Sequence, residues 1–417
     1  MMHNQAALLE RSLPRDRWEL LHLVARQASM LRQPLYLVGG VVRDLLLGGA
    51  VKDFDLVVEG DAIKLARALV SRYGGRVTAH TKFGTAKWAL PEHLKPAAPA
   101  HAALDLISAR SEIYKHPAAL PTVKPGSIED DIRRRDFTIN ALAIRLDEPH
   151  FGELRDDLNG MNDLQKRIIR VLYPRSFLDD PTRMYRAVRY EKRYQFKMAA
   201  DTLALIPAAR ASIVNLSAQR IRHELDLMLE ERQVSSMLAR LEELDLLSII
   251  HPALSDFQRS KLAAFKEGEL PAHDRNLVWL WWLMHLPMHE IESLNKRLHF
   301  NATLLKALLA ASALYAGLDS FAGLKPSQTV ERLDAYPSAA VEAVHFVVRD
   351  KNRKNVFSKY LSEWRHIKPQ TTGHDLKKLG VEPGPRYTEI LHRLRAAWLD
   401  GEVKSGEEEE NLLKSIL

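Results

Sequence analysis

The segment Lys52-Asp53-Phe54-Asp55-Leu56-Val57-Val58 sets two carboxylates one residue apart at the head of an apolar run. In an extended chain, side chains at i and i+2 point to the same face. Asp53 and Asp55 therefore stand side by side as hard oxygen donors, a set that suits Mg²⁺ and not a thiolate-loving metal. Just upstream, Tyr36-Leu37-Val38-Gly39-Gly40-Val41-Val42-Arg43-Asp44 reads as a strand, a glycine turn and an amphipathic stretch carrying Arg43. Either element alone is commonplace. An Asp-x-Asp pair is usually a solvated strand face, and tight turns use glycine without binding anything. Their order is what metal-assisted transfer of a nucleotidyl group requires: a strand, a turn able to hold phosphates, then an acidic strand.

The 417 residues are 46% hydrophobic, enough for about two to four domains at roughly 100–200 residues each. Cysteine is absent, which excludes disulfides and cysteine-based zinc or redox sites and fits a reducing compartment. Met1 to Asp16 has no apolar signal core, and the most apolar run, Leu277 to Leu286, is too short to span a bilayer and contains His285. The expectation is a soluble, cytoplasmic protein with no membrane segment and no stable protein partner. The net charge of +7 is modest, but basic residues gather at Arg133-Arg134-Arg135 and along Arg183, Arg186, Arg189, Lys192 and Arg193. Local basic stripes are a usual footprint of phosphate recognition, although solvated helix faces look alike.

Residues 1–149 alternate strand-like runs (Leu35–Val38, Phe54–Val58, Ala86–Leu90, Leu104–Ile107) with a helical stretch, Ala62–Tyr73. The Pro/Ala-rich segment 91–103 reads as a loop. From Ser176 onward the periodicity is almost entirely helical, broken at Pro207, Pro252, Pro271, Pro287 and Pro369. The acidic run Glu407–Glu410 reads as a solvated helix start. The fold class is α+β, with a mixed head followed by a long helical body.

Two further constellations carry chemistry. Arg134-Arg135-Asp136-Phe137-Thr138-Ile139-Asn140-Ala141 offers guanidiniums for phosphate or ribose and polar groups for hydroxyls; it reads equally as a basic turn capped by Asp136. In Asp179-Asp180-Pro181-Thr182-Arg183-Met184-Tyr185-Arg186 the proline belongs in a first helical turn, which makes Asp179 or Asp180 an N-cap. The same spacing brings Asp180, Arg183 and Arg186 to one face. A carboxylate beside a guanidinium can read a base edge, the carboxylate accepting from an exocyclic amine and the guanidinium donating to a ring nitrogen or carbonyl. Such a pair selects ATP and CTP over GTP and UTP.

Taken in order, Leu37-Val38-Gly39-Gly40-x-x-Arg43-Asp44, Asp53-x-Asp55, Arg134-Arg135-Asp136-Phe137-Thr138-x-Asn140-Ala141 and Asp180-x-x-Arg183-x-x-Arg186-x-x-Arg189 resemble the class II tRNA nucleotidyltransferase/poly(A) polymerase family. Asp157–Leu164 is similar to its head–neck hinge, and Ser217-x-x-Arg220-Ile221-x-x-Glu224-Leu225 to its neck motif. The end, from Thr372 to Gly401, is similar to the tail of the bacterial branch. The resemblance implies a polymerase-β-like nucleotidyltransferase head (1–149), a helical neck with the nucleobase template (150–230), a helical body (231–330) and a tail that binds tRNA (331–417). It implies that Asp53 and Asp55 hold Mg²⁺, that Gly39, Gly40 and Arg43 contact nucleotide phosphates, and that Arg135 and Asp136 grip triphosphate and ribose. Asp180 and Arg183 become the template, flanked by Arg186 and Arg189; Asp105 is a third catalytic carboxylate on a neighbouring strand. Asp179 stands where the family often has Glu. The implied reaction is addition of CCA, or of its terminal A, to tRNA from CTP and ATP with release of pyrophosphate. A-only addition, poly(A) synthesis and a non-catalytic RNA-binding role are the alternatives. Residues 112–123 look like the full-length loop that CC-only enzymes shorten, which argues for A addition.

Overall fold

A computed structural model describes residues 4–49, 54–95, 102–265 and 274–417. The chain divides into two compact units, Met1–Arg220 and Ile221–Leu417.

In the first unit, helices α1 (Ala6–Ser12) and α2 (Arg15–Met30) precede strand β1 (Leu35–Val38), helix α3 (Gly40–Leu46), strand β2 (Asp55–Val58) and helix α4 (Ala62–Tyr73). Strands β3 (Arg76–His80), β4 (Thr85–Ala89) and β5 (Ala103–Ser108) follow, then a hairpin of β6 (Arg110–Ile113) and β7 (Thr122–Pro125) and helix α5 (Ile128–Arg133). After β8 (Ala143–Arg145) and β9 (Leu154–Arg155) come α6 (Gly160–Lys166), the two-residue strand β10 (Ile168–Ile169), α7 (Ser176–Asp179) and α8 (Thr182–Arg193).

Seven strands form one sheet in the order β3-β4-β5-β2-β1-β8-β9. Only β2 and β5 run parallel within it. The central strand β1 is buried at all four positions, which explains its unbroken apolar run, whereas β4 alternates buried and exposed residues. The first half of β1 pairs with the end of β2, so both strands point their opposite ends at the turn after Val38. There Gly39 takes φ +75 and opens α3. A Cβ on Gly39 would also lie 2.4 Å from Arg135 Nη1, so both backbone and space call for glycine. Asp61 caps α4 by accepting from Lys64 N–H, and a Ser127–Asp130 capping box starts α5. A Cβ on Gly160 would sit 2.3 Å from the Thr138 carbonyl oxygen, so α6 can dock there only as glycine.

The expected strands and α4 are present to within a residue or two. Three features differ. The stretch 112–123, read as loop, is loop over 114–121, but its two ends belong to strands β6 and β7, which pair as a hairpin. Strand β3, with alternating exposed and half-buried residues, carries no apolar run to announce it. A two-residue strand, Lys197–Met198, interrupts the otherwise helical stretch after Ser176 by pairing with β10.

The second unit is helical throughout its described residues. Trp279, Trp281 and Trp282 of the helix Arg275–Leu283 are buried, Trp279 stacking on Trp282 at 5.2 Å and Trp281 on Phe346 at 4.5 Å, as expected for packing residues. The helix Gly406–Ile416 begins in the acidic run, capped by Ser405. Glu409, however, is buried, not solvated: it accepts from Gln370 N–H at 2.9 Å, from Thr371 N–H at 2.6 Å and from Trp398 Nε1–H. Among the described residues no helix is long and apolar enough to cross a membrane.

Candidate active site

A cavity of about 400 Å³ opens at the Gly39 turn, lined by Gly40, Arg43, Asp55, Arg135, Asp136, Asp180, Arg183 and Arg186 among others. Eight of the expected site residues thus line one cavity. Gly39 lies directly behind it, against Arg135. Arg189 is buried on α8 and does not line it. Asp53 lies outside the described residues.

Asp55 heads β2 and Asp105 is its registered partner on the parallel strand β5. Neighbours in register on parallel strands present side chains on the same face, a few ångströms apart. Lys87, across from Asp105 on β4, approaches it at 3.9 Å. Asp55 lines the cavity and Asp105, exposed beside it in register, does not. Two neighbouring carboxylates are nonetheless the donor chemistry that a hard divalent cation takes, so the pair fits such an ion. Among the described residues no cluster of three metal-capable side chains occurs.

With Arg183, Arg43 is one of two buried cations lining the cavity. Its Nε donates to Asp44 Oδ1 at 2.9 Å, its Nη1 donates to Asn140 Oδ1, and its guanidinium lies 4.5 Å from the Tyr194 ring and 5.2 Å from the Tyr190 ring. Burial works against its charge, but Tyr194 and Asp44 outweigh that and raise its pKa. Burial in turn pushes the Tyr194 hydroxyl up to about 12, and this hydroxyl donates to Asp44 at 3.1 Å. Both groups keep their protons at any physiological pH.

Asp136 is buried and accepts from Phe137 N–H, from Asn140 Nδ2 at 2.9 Å and from Arg186 Nε at 2.7 Å. Burial pulls its pKa upward, yet the Arg186 charge and the Asn140 hydrogen bond carry it below 3.8. Arg135 is anchored by Asp131 at 2.8 Å. The first part of the basic stripe on α8 faces inward, with Arg183 and Arg189 buried and Arg186 paired with Asp136, whereas at its end Lys192 is half-buried and Arg193 exposed.

Asp180 does cap α8, its Oδ1 accepting from Thr182 N–H at 3.0 Å. Arg183 donates through Nη1 to Ser176 Oγ (2.7 Å) and Tyr173 Oη (3.2 Å), and through Nη2 to the Arg134 carbonyl (2.7 Å). Its pKa is raised, because Tyr173, Tyr114 and Asp180 outweigh the cost of burial. Glu112 and Tyr114 of the hairpin, together with Asn140, Thr182 and Tyr190, also line the cavity. Asn140 and Thr182 stood inside recognisable motifs. Glu112 and Tyr114 lay in the stretch 112–123 singled out above, but nothing in their spacing assigned either side chain to the cavity. The arrangement is a phosphate-sized basic floor, an acidic edge and a wall with one carboxylate beside one fixed guanidinium.

The Poly A polymerase head domain model matches residues 35–170, and a model described as a probable RNA and SrmB-binding site of polymerase A matches residues 195–258. An A-adding tRNA nucleotidyltransferase of Halalkalibacterium halodurans is 33% identical over 96% of this chain and 93% of its own length. The chain belongs to the class II tRNA nucleotidyltransferase/poly(A) polymerase family. A second A-adding tRNA nucleotidyltransferase, from Geobacter sulfurreducens, is 35% identical over 96% of this chain, which spans 47% of that relative. Proteins named CC-adding and CCA-adding also match. A solved apo structure of a CCA-adding enzyme superposes with a TM-score of 0.82 at 26% identity, covering 100% of this chain and 99% of that one. As a family member the chain is a template-independent nucleotidyltransferase, an α+β head followed by a helical body.

Proposed function

We propose that this chain is a cytoplasmic tRNA nucleotidyltransferase that transfers AMP from ATP to a tRNA 3′ end, completing a CCA terminus. The observation that carries the reading is the wall formed by Asp180 and Arg183 above the Arg43–Arg135 floor, a base reader set over a phosphate holder. AMP transfer is common to full CCA addition and to A-only addition. The β6–β7 hairpin and its connection support the first, and the A-adding names of two relatives that match over 96% of this chain support the second.

In this reading Gly39, Gly40 and Arg43 receive the triphosphate at the turn, and Arg135 and Asp136 hold triphosphate and ribose. Arg186 and Arg189 keep α8 seated against that grip. Asp180 accepts from the exocyclic amine of adenine or cytosine, while Arg183 donates to the neighbouring ring nitrogen. Guanine and uracil present a carbonyl to the carboxylate and are refused. The tRNA 3′-hydroxyl attacks the α-phosphorus in line; the new P–O bond forms as the bond to pyrophosphate breaks, and the hydroxyl proton passes to solvent water. Asp53, Asp55 and Asp105 would hold a divalent cation such as Mg²⁺, which would lower the hydroxyl pKa and neutralise charge on the phosphoryl oxygens. We assign 1–149 as the head, 150–230 as the neck, 231–330 as the body and 331–417 as the tail, the last two gripping tRNA chiefly through phosphates.

The test uses three tRNA transcripts, ending before CCA, after C and after CC, with labelled CTP or ATP and Mg²⁺. CTP then ATP addition to the shortest establishes full CCA addition. ATP addition confined to the CC transcript establishes A-only addition. No incorporation on any transcript would overturn the reading.

A further inference from the structure

Arg220 stands far along the chain from Asp180, in the first turn of the helix that begins at Ala218. Its Nη2 donates to Asp180 Oδ1 at 2.6 Å and its Nη1 donates to the Ala118 carbonyl at 3.0 Å. Ala118 is itself pinned, because its N–H donates to the Leu178 carbonyl at 3.2 Å. The guanidinium is thus clamped at two points and cannot swing about its own axis.

The consequence falls on the carboxylate. Oδ1 of Asp180 takes three donors: Thr182 N–H at 3.0 Å, Thr182 Oγ1 at 2.6 Å and Arg220 Nη2. Among the described residues no donor reaches Oδ2. A carboxylate with one oxygen saturated and the other bare presents a single acceptor in a fixed direction, in a side chain that lines the cavity. Across the wall, Arg183 has both Nη1 hydrogens and one Nη2 hydrogen committed to protein oxygens, leaving Nε–H and one Nη2–H. One bare acceptor beside two bare donors is a directional code for a base edge with an amine next to a ring acceptor.

We propose that Arg220 is a positioning residue for nucleobase choice: it locks Oδ1 of Asp180 so that only Oδ2 faces the incoming base. The role rests on the reading of Asp180 as the base acceptor. Without Arg220 the carboxylate can rotate or draw in water, and a water bound there can donate to the carbonyl of guanine. The loss is one of discrimination before it is one of rate.

The experiment compares full-length wild type, R220K, R220M and T182V on a tRNA transcript ending in CC, with ATP and GTP as competing donors, alongside melting temperature and KM for tRNA. The expected result is an ATP-over-GTP preference narrowed about tenfold in R220M and less in R220K and T182V, with KM for tRNA changed by less than about twofold. In a D180A background, R220M should narrow the preference no further, as members of one unit are non-additive. If R220M does not fold, R220K and T182V still decide. An unchanged preference in the folded variants, with rates for ATP and GTP falling together, would reduce Arg220 to a structural contact and overturn its role. Wild-type protein inert on every tRNA would overturn the underlying reading and the role with it.

Discussion

Arg186 Nη2 lies 2.6 Å from Asp136 Oδ2, joining α8 to the turn that follows α5. The residue assigned to the ribose is therefore already neutralised before any nucleotide arrives, and its other oxygen is held by Asn140. Replacing Asp136 by Asn should lower kcat/KM for ATP about 10- to 100-fold, the size of one charged hydrogen bond of about 1.5–3 kcal/mol. The same pair sets a pH limit. A carboxyl held below 3.8 in the folded state stabilises fully above that value, and the gain is lost as pH falls through the lower folded value. The melting-temperature gap between wild type and D136N should hold constant from pH 8 to pH 5 and close below about pH 4.

Asp55→Ala and Asp105→Ala should each cut nucleotide incorporation by at least about a thousandfold while tRNA affinity, measured by filter binding, stays near wild type. Near-normal turnover in Asp55→Ala would remove the acidic edge from the mechanism.

Arg183→Ala should broaden nucleotide use. It removes the two bare donors opposite Asp180, so GTP and UTP incorporation relative to ATP should rise about tenfold or more. Unchanged rejection of GTP and UTP in a competition assay would count against selection by protein side chains.

How much of this was legible beforehand follows the range of each interaction. Strands β1 and β2 announce themselves as apolar runs because both are buried on the two faces of the sheet. The spacing that brings Asp180, Arg183 and Arg186 into one cavity is a local periodicity, and it was readable. Strand β3 was not, since an edge strand with half-exposed residues has no hydrophobic signature. Glu112 enters the cavity because Arg134 and Arg110 hold it, at 3.2 Å each, contacts that no spacing rule encodes. The same is true of Arg220 on Asp180. Glu409 reads as solvated in a run of four glutamates, and only tertiary partners from residues 370–398 bury it.

Salt offers a test of how the RNA is held. Raising ionic strength from 50 to 200 mM should raise KM for tRNA at least about tenfold and KM for ATP far less, because polyanion binding releases many counterions and a buried triphosphate site few. Equal effects on both would show that phosphate contacts along the RNA are not the main grip.

The second unit carries its own pH response. Burial lowers the His285 pKa below 6.5, more than its hydrogen bond with the Trp282 backbone raises it. Stability is then complete above pH 6.5 and declines as pH falls toward the lower folded value, because the unfolded chain takes up the proton first. Unfolding followed by tryptophan fluorescence should show a midpoint that drops between pH 7 and 5.5 in wild type and drops less in His285→Gln.

Asp55 and Asp105 meet only because β5 slots in beside β2 after the β3–β4 excursion has been laid down. The two carboxylates are about fifty positions apart in the sequence and become neighbours only through the parallel seam between β2 and β5. A change that shifted the register of that seam by one residue would turn Asp105 to the opposite face of the sheet and part the pair, with neither aspartate altered.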